Sequence, residues 1–228
     1  MSGVYPYCVL TAGYDPPAGL RGLSDRPVEG RDIGPFTVWT SLEPSLPRPD
    51  LESISRHHAV VRAASDSETP LPVRFGAWVP DHEALVRRIE RHRGELEVAL
   101  AAVQGRAEFG LTIEDDGAAT LGTAGSGKVP EDGRAYMREL SCHYAGRRRN
   151  RERRDAVLES LRESLAELRL EERVRRLGPP GLLSVAHLVA RSHEVRYRAL
   201  VEGFVRERAR GIRVHLSGPW PPYSFVSS

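Results

Sequence analysis

Cysteine is scarce in this sequence: Cys8 and Cys142 are the two in 228 residues. No Cys-x-x-Cys pair is present, so neither a disulfide framework nor the common zinc spacing fits. Both thiols are expected to be free in a reducing compartment. A surplus of either charge is also missing, since 33 basic and 31 acidic residues leave a formal net charge of +2. That balance argues against a dedicated nucleic-acid binder, which carries a clear basic excess. No run approaches 18 apolar residues, so no transmembrane helix is expected. Met1 to Leu10 has no basic stretch ahead of an apolar one and does not read as a signal peptide. With 40% hydrophobic and 28% charged residues, the profile is that of a soluble, cytoplasmic globular protein.

Groupings that carry chemistry are scarce too. Gly-x-Ser-x-Gly is absent, and Ser141-Cys142-His143 is contiguous, whereas a nucleophile and its base come from separate parts of a chain. His57 and His58 are adjacent, so on a helix they point about 100° apart and cannot act as an i, i+4 metal pair. His187 lies in an apolar stretch and is expected as a hydrogen-bonded core residue. Gly122 to Lys128 has the Gly-x4-Gly-Lys spacing of a phosphate loop, but Val129 stands where a magnesium-binding hydroxyl belongs. Pro130 and Gly133 then follow where helical amides should face the phosphates. The carboxylates show no paired grouping. The expectation is therefore no enzyme, with no catalytic residue, cofactor or metal.

The periodicities describe two small α+β domains, placed at 1–104 and 105–228. Val4 to Leu10 reads as a strand, Thr11 to Pro35 as mostly loop, and Phe36 to Ser41 as a second strand. Asp50 caps a helix carrying Leu51, Ile54, His58 and Val61 on one face. Leu71 to Val79 reads as extended. Asp81 caps a helix burying Leu85, Ile89, His92, Leu96, Ala99 and Val103, at spacings of three and four. In the second half Phe109, Leu111 and Ile113 alternate as a strand, and a Gly-rich loop spans 115–133. A long helix runs from about Gly133 to Leu168, and Leu170 to Leu177 is a charged strand. Leu182 to Ala190 is nearly all apolar, as for a strand buried on both faces. Ser192 caps a helix presenting Val195, Leu200, Val201, Phe204 and Val205. Ile212, Val214 and Leu216 form the last strand. This order is β-α-β-β-α-β, the ferredoxin-like arrangement, in which the apolar third strand belongs in the centre of the sheet.

The long helix keeps one face from Met137, Leu140 and Tyr144 through Arg147, Arg151 and Arg154 to Leu158, Leu161, Leu165 and Leu168. Its middle is basic. Either that turn overhangs into solvent, with arginine stems covering apolar surface, or it meets an acidic partner. A nucleic-acid-binding adapter using 147–154 is the alternative function, although Phe109, Leu111 and Ile113 lack the stacking signature of a sheet that reads RNA.

Three segments, Leu71-Pro-Val-Arg-Phe-Gly76, Gly133-Arg-Ala-Tyr136 and Leu216-Ser-Gly-Pro-Trp-Pro-Pro-Tyr-Ser-Phe-Val226, resemble in order and spacing the gas vesicle F/L (GvpF/GvpL) family. The resemblance spans Tyr5 to Phe225. It implies an N-terminal α+β domain, a C-terminal ferredoxin-like domain and a role in gas vesicle assembly. The implied partners are the small hydrophobic major shell protein and other gas vesicle accessory proteins, with no nucleic acid and no membrane. The candidate partner or interdomain residues are Arg74, Phe75, Arg147, Arg151, Arg154, Trp220, Tyr223 and Phe225. The three tail prolines remove backbone donors and stiffen the segment, so Trp220, Tyr223 and Phe225 are expected to dock the domains together, direct partner contact being the alternative. Arg74 is expected to pair with an acidic group at the same junction.

Overall fold

The computed structural model describes residues 2–115, 133–177, 182–208 and 211–226. It is mixed α+β, with two four-stranded antiparallel sheets. The chain forms two compact units, Met1–Glu108 together with Pro219–Ser228, and Phe109–Gly218. The C-terminal tail, expected with the second domain, groups with the first unit, where its aromatic side chains pack against that unit's cores.

In the first unit β1 (Gly3–Thr11), β2 (Glu29–Ile33), β3 (Phe36–Glu43) and β4 (Leu71–Pro72) line up in the order β2-β3-β1-β4. β1 is central and buried on both faces. A register shift between Pro6 and Cys8 puts Tyr7 and Cys8 into the same core with Tyr5 and Leu10. Proline has no N–H to give to the ladder, so a bulge is where it is tolerated. Val4 and Val9 face the opposite core, with Phe36, Val38 and Leu71. That second core is closed by α2 (His82–Arg91) and α3 (Arg93–Val103) through Leu85, Ile89, Leu100 and Val103. The first is closed by α1 (Leu51–Ser65) through Val60, Val61 and Ala64.

Several expectations shift here. β2 lies inside the segment read as loop. It is a charged edge strand, Glu-Gly-Arg-Asp-Ile, with no apolar alternation to reveal it. Asp50 and Asp81 do cap their helices, accepting from Ser53 N at 2.8 Å and Ala84 N at 2.7 Å. However, α1 buries His57, Val60, Val61 and Ala64, while Leu51 and Ile54 are exposed. The expected single helix over 82–103 breaks at His92, whose φ of −104° and ψ of 13° leave the helical region, and His92 faces solvent. Between Pro72 and Val79 the chain turns instead of staying extended; Val79 rejoins the sheet by a bridge to Val4.

The second unit holds β5 (Arg106–Asp115), α4 (Gly133–Ser164), β6 (Arg169–Leu177), β7 (Leu182–Ala190), α5 (Glu194–Arg208) and β8 (Ile212–Trp220). Its sheet order is β6-β7-β5-β8, with the first and third strands of the unit in the centre, the ferredoxin-like order. The division between units falls within β5 and β8 themselves. Phe109, Leu111 and Ile113 on β5 and Val185 and Val189 on β7 are fully buried. α4 ends at Ser164, a turn earlier than its periodicity suggests, yet Leu165 and Leu168 stay buried in the turn that follows. A short 3-10 turn, Arg191–His193, precedes α5 in place of the expected cap at Ser192. α5 buries Tyr197, Val201 and Phe204, leaving Val195 83% exposed. The segment resembling a phosphate loop, Gly122 to Lys128, lies outside the described residues, as do the side chains of Met137, Leu140, Tyr144 and Arg147.

Candidate functional site

The turn after β4 carries two of the singled-out residues, Arg74 and Phe75. It is anchored from beneath by His57 of α1. His57 Nε2 lies 3.0 Å from Val73 O, and Nδ1 lies 2.9 Å from the Tyr5 hydroxyl. A carbonyl only accepts, so Nε2 carries the proton and Nδ1 accepts from Tyr5. Tyr5 in turn accepts from Gly76 N at 3.2 Å. Burial lowers the His57 pKa to about 4, which keeps the ring neutral near pH 7. Burial likewise raises the Tyr5 pKa, so its hydroxyl stays a donor. Phe75 closes the arrangement, its ring 5.7 Å from His57 and 6.2 Å from Tyr5. Gly76 takes φ +92°, a left-handed value that a side chain would strain. Arg74 points away from all this. It is exposed and, against expectation, has no carboxylate partner among the described residues.

The C-terminal tail packs on the neighbouring residue of the same helix. His58 meets Trp220 and Tyr223 with ring centroids 5.3 and 5.8 Å away. Burial and nearby Arg62 lower the His58 pKa. Tyr223 packs with Phe75 and Trp78 against the Tyr5–Tyr7 core, and Phe225 and Val226 pack against the opposite one. Pro221 and Pro222 are buried. Ser224 is gripped by the buried Glu108 carboxylate, which accepts from its N at 2.8 Å and its Oγ at 2.7 Å. Within the first unit, therefore, Phe75 and Tyr223 share one core and Trp220 joins through His58, while Phe225 belongs to the other core. His57, His58, Tyr5 and Glu108 hold these residues in place. No local pattern announces their role, since each is a polar group whose partner is distant in the chain.

The arginines of α4 are not gathered into a site. Arg151 is exposed and Arg154 half-buried. Arg148–Glu152 at 3.5 Å and Arg151–Asp155 at 3.7 Å are i, i+4 pairs along a solvated helix. The charge cluster of this unit lies elsewhere, around a largely but not fully buried carboxylate. Glu172 on β6 receives Arg162 Nη2 at 2.5 Å, Arg169 Nη1 at 2.6 Å and His187 Nε2 at 2.9 Å. His187 Nδ1 then accepts from Tyr197 at 2.7 Å. Burial raises the Glu172 pKa, but hydrogen bonds from Arg162 and His187 outweigh it and hold it at about 2. Burial lowers His187 to about 4 against the opposing pull of Glu172. Glu172, His187 and Tyr197 have the order of a proton relay. Yet His187 and Tyr197 are fully buried, so no substrate reaches them.

Among the described residues, no three His, Cys, Asp or Glu side chains group as a metal site requires, and no helix is long and apolar enough to cross a membrane.

Comparison with known proteins supplies the family. Residues 3–227 match the family described as Gas vesicle synthesis protein GvpL/GvpF. Gas vesicle protein L of Streptomyces sp. (strain CB03234) is 31% identical over 188 residues, covering 75% of this chain and 67% of that relative. Gas vesicle protein F of the same strain is 25% identical over 228 residues, covering 92% and 93%. The fold matches the crystal structure of GvpF from Anabaena sp. PCC7120 with a TM-score of 0.83 at 20% identity, covering 100% of this chain and 97% of that one. It matches GvpF from Microcystis aeruginosa at 0.78 and 19%, covering 99% of each. With its sequence matched from end to end, this chain belongs to the gas vesicle synthesis protein GvpL/GvpF family.

Proposed function

We propose that this chain is a non-catalytic accessory or minor structural protein of gas vesicles. It binds the small hydrophobic major shell protein, limits its aggregation and supports early assembly together with other accessory proteins, in the cytoplasm and at the shell. The observation that carries this reading is the family match over residues 3–227. Physical chemistry makes the role coherent. A protein that tiles a gas-filled wall exposes apolar surface, and before assembly that surface drives aggregation. A carrier needs apolar side chains of its own in reach of solvent. Leu46, Leu51 and Ile54 in the first unit and Leu170, Val174 and Val195 in the second are exposed. Arg74, Phe75, Trp220, Tyr223 and Phe225 are the contact or anchoring residues of the first unit, and Arg147, Arg151 and Arg154 add orientation.

Co-expression with the major shell protein tests this. Soluble shell protein is expected to rise when the full chain is present. The complex is expected to survive 1 M salt, where the screening length is about 3 Å and exposed charge pairs contribute little. Equal aggregation of the shell protein with and without this chain would sink the reading.

A further inference from the structure

Beyond β8 the C-terminal tail is seated in the first unit without joining its sheet. Residues 221–226 belong to no strand or helix, and the bonds from Tyr223 N to Pro221 O at 2.8 Å and from Phe225 N to Pro222 O at 3.1 Å lie within the tail. Its attachments are the rings of Trp220 and Tyr223 on His58, Phe225 and Val226 on the α2–α3 core, and the Glu108 carboxylate on Ser224 N and Oγ. Upstream, β8 is fixed in the second unit as far as Gly218, whose carbonyl accepts from Arg198 of α5. Gly218 takes φ +109°, and Pro219 follows it. Glycine allows the chain to change direction there. The tail prolines keep a released tail stiff, which lowers the entropy lost when it docks again. The seat itself cannot stand empty. Removing the tail would bare apolar surface on both cores and strip two hydrogen bonds from the buried Glu108 carboxylate.

We propose that this seat is also a docking site for the same tail of a second copy of the chain, so that exchanged tails link copies. The chemistry that fits the seat is the tail's own: a stiff segment with an aromatic ring at Tyr223, an N–H and a hydroxyl for Glu108 at Ser224, and a second ring at Phe225. Pro219 to Val226 spans about 26 Å when extended, enough to cross from one chain to another that touches it. Exchange replaces each contact by its copy, so the closed and exchanged arrangements hold the tail equally well and concentration decides between them. A chain's own tail competes at an effective concentration on the order of millimolar, so linking is favoured where copies are gathered closely. Reciprocal exchange closes a pair, whereas one-way donation makes an open run of copies. The inference does not depend on shell-protein binding.

A fluorescent peptide of residues 216–228, titrated into the full chain as wild type, Tyr223→Ala and Ser224→Asp, tests this. Ser224→Asp sets a second carboxylate against Glu108 at a half-exposed position, so it releases the tail and carries the test even if Tyr223→Ala does not fold. Each variant vacates the seat and is expected to bind the peptide about tenfold to a hundredfold more tightly than wild type, the effect of removing one anchor from the competing tail. The same peptide carrying Ser224→Asp should not bind. In a second measurement, full-length copies bearing two different tags are mixed at high concentration and captured through one tag. Wild type is expected to bring down the other tag, and Ser224→Asp in both copies to lower that yield at least about tenfold. Peptide binding no tighter to Ser224→Asp than to wild type overturns the inference. So does co-capture that is absent in wild type or unchanged by Ser224→Asp.

Discussion

Each unit buries a histidine whose Nδ1 accepts from a tyrosine hydroxyl, His57 from Tyr5 and His187 from Tyr197. The two differ at the other ring nitrogen. His57 Nε2 donates to a backbone carbonyl and so fixes a surface turn, whereas His187 Nε2 donates to Glu172, a carboxylate that also holds Arg162 and Arg169. A neutral partner needs one hydrogen bond to be satisfied. A buried carboxylate needs several, and the second unit supplies them from α4, β6 and β7. The same ring thus serves to present an exposed residue in one unit and to neutralise a charge in the other.

The largest expected effect tests the core that surrounds the charged cluster. Val185 is fully buried on central β7, so Val185→Asp places an unpaired carboxylate there at a cost of several kcal/mol. The second unit should unfold, seen as loss of amide protection in β5–β8. A soluble variant with unchanged melting would contradict the central position of β7.

Next comes the contrast itself. Glu172→Ala strips the partner from His187, Arg162 and Arg169 and is expected to cost about 3 kcal/mol, the low end for breaking a buried pair, because the two arginines are partly solvated. His57→Ala removes only neutral hydrogen bonds and packing, and should cost about 2 kcal/mol. Denaturant unfolding of the two variants checks the order; equal losses would mean that the charge in the second unit has no special weight.

The pH profile sharpens it further. A histidine whose folded pKa is lowered binds fewer protons folded than unfolded between the two values, so stability falls as pH drops through that interval. For His57 and His187 the window runs from about 6.5 down to about 4. Glu172, lowered from 4.5 to about 2, adds loss in the same direction below pH 4.5. Stability of the second unit should therefore keep falling toward pH 2 after the contribution of His57 to the first has levelled off. Glu172→Gln should remove the lower part of that slope, and chemical denaturation at stepped pH reads it.

The smallest effect concerns the tail. Ser224→Ala removes one hydroxyl hydrogen bond to Glu108 while keeping the one from Ser224 N. A loss of about 1 kcal/mol is expected, and hydrogen exchange should place it in the first unit. Its appearance in β7 would contradict the grouping of Pro219–Ser228 with residues 1–108.

What could be read in advance was whatever repeats locally. The alternation Phe109, Leu111, Ile113, the apolar run 182–190 and the caps Asp50 and Asp81 needed no partner to be seen, and the β-α-β-β-α-β order carried the sheet order with it. β2 escaped because a charged edge strand buries too little to alternate. The faces of α1 and α5 are legible only in part: Val61, Val201 and Phe204 are buried as expected, whereas Leu51 and Val195 are apolar yet exposed, and His57 and Tyr197 are polar at one end yet buried.

Sequence by itself determined the fold class, the ferredoxin-like order of the second unit and the family, because each rests on patterns carried by neighbouring residues. Tertiary structure alone decided that His57 holds the Arg74 turn, that Glu172 collects three donors and that Glu108 grips Ser224. Those contacts range from Arg169 and Glu172, 3 positions apart, to Glu108 and Ser224, 116 apart, and a polar side chain shows its partner only once the fold has brought the two together and excluded water from between them.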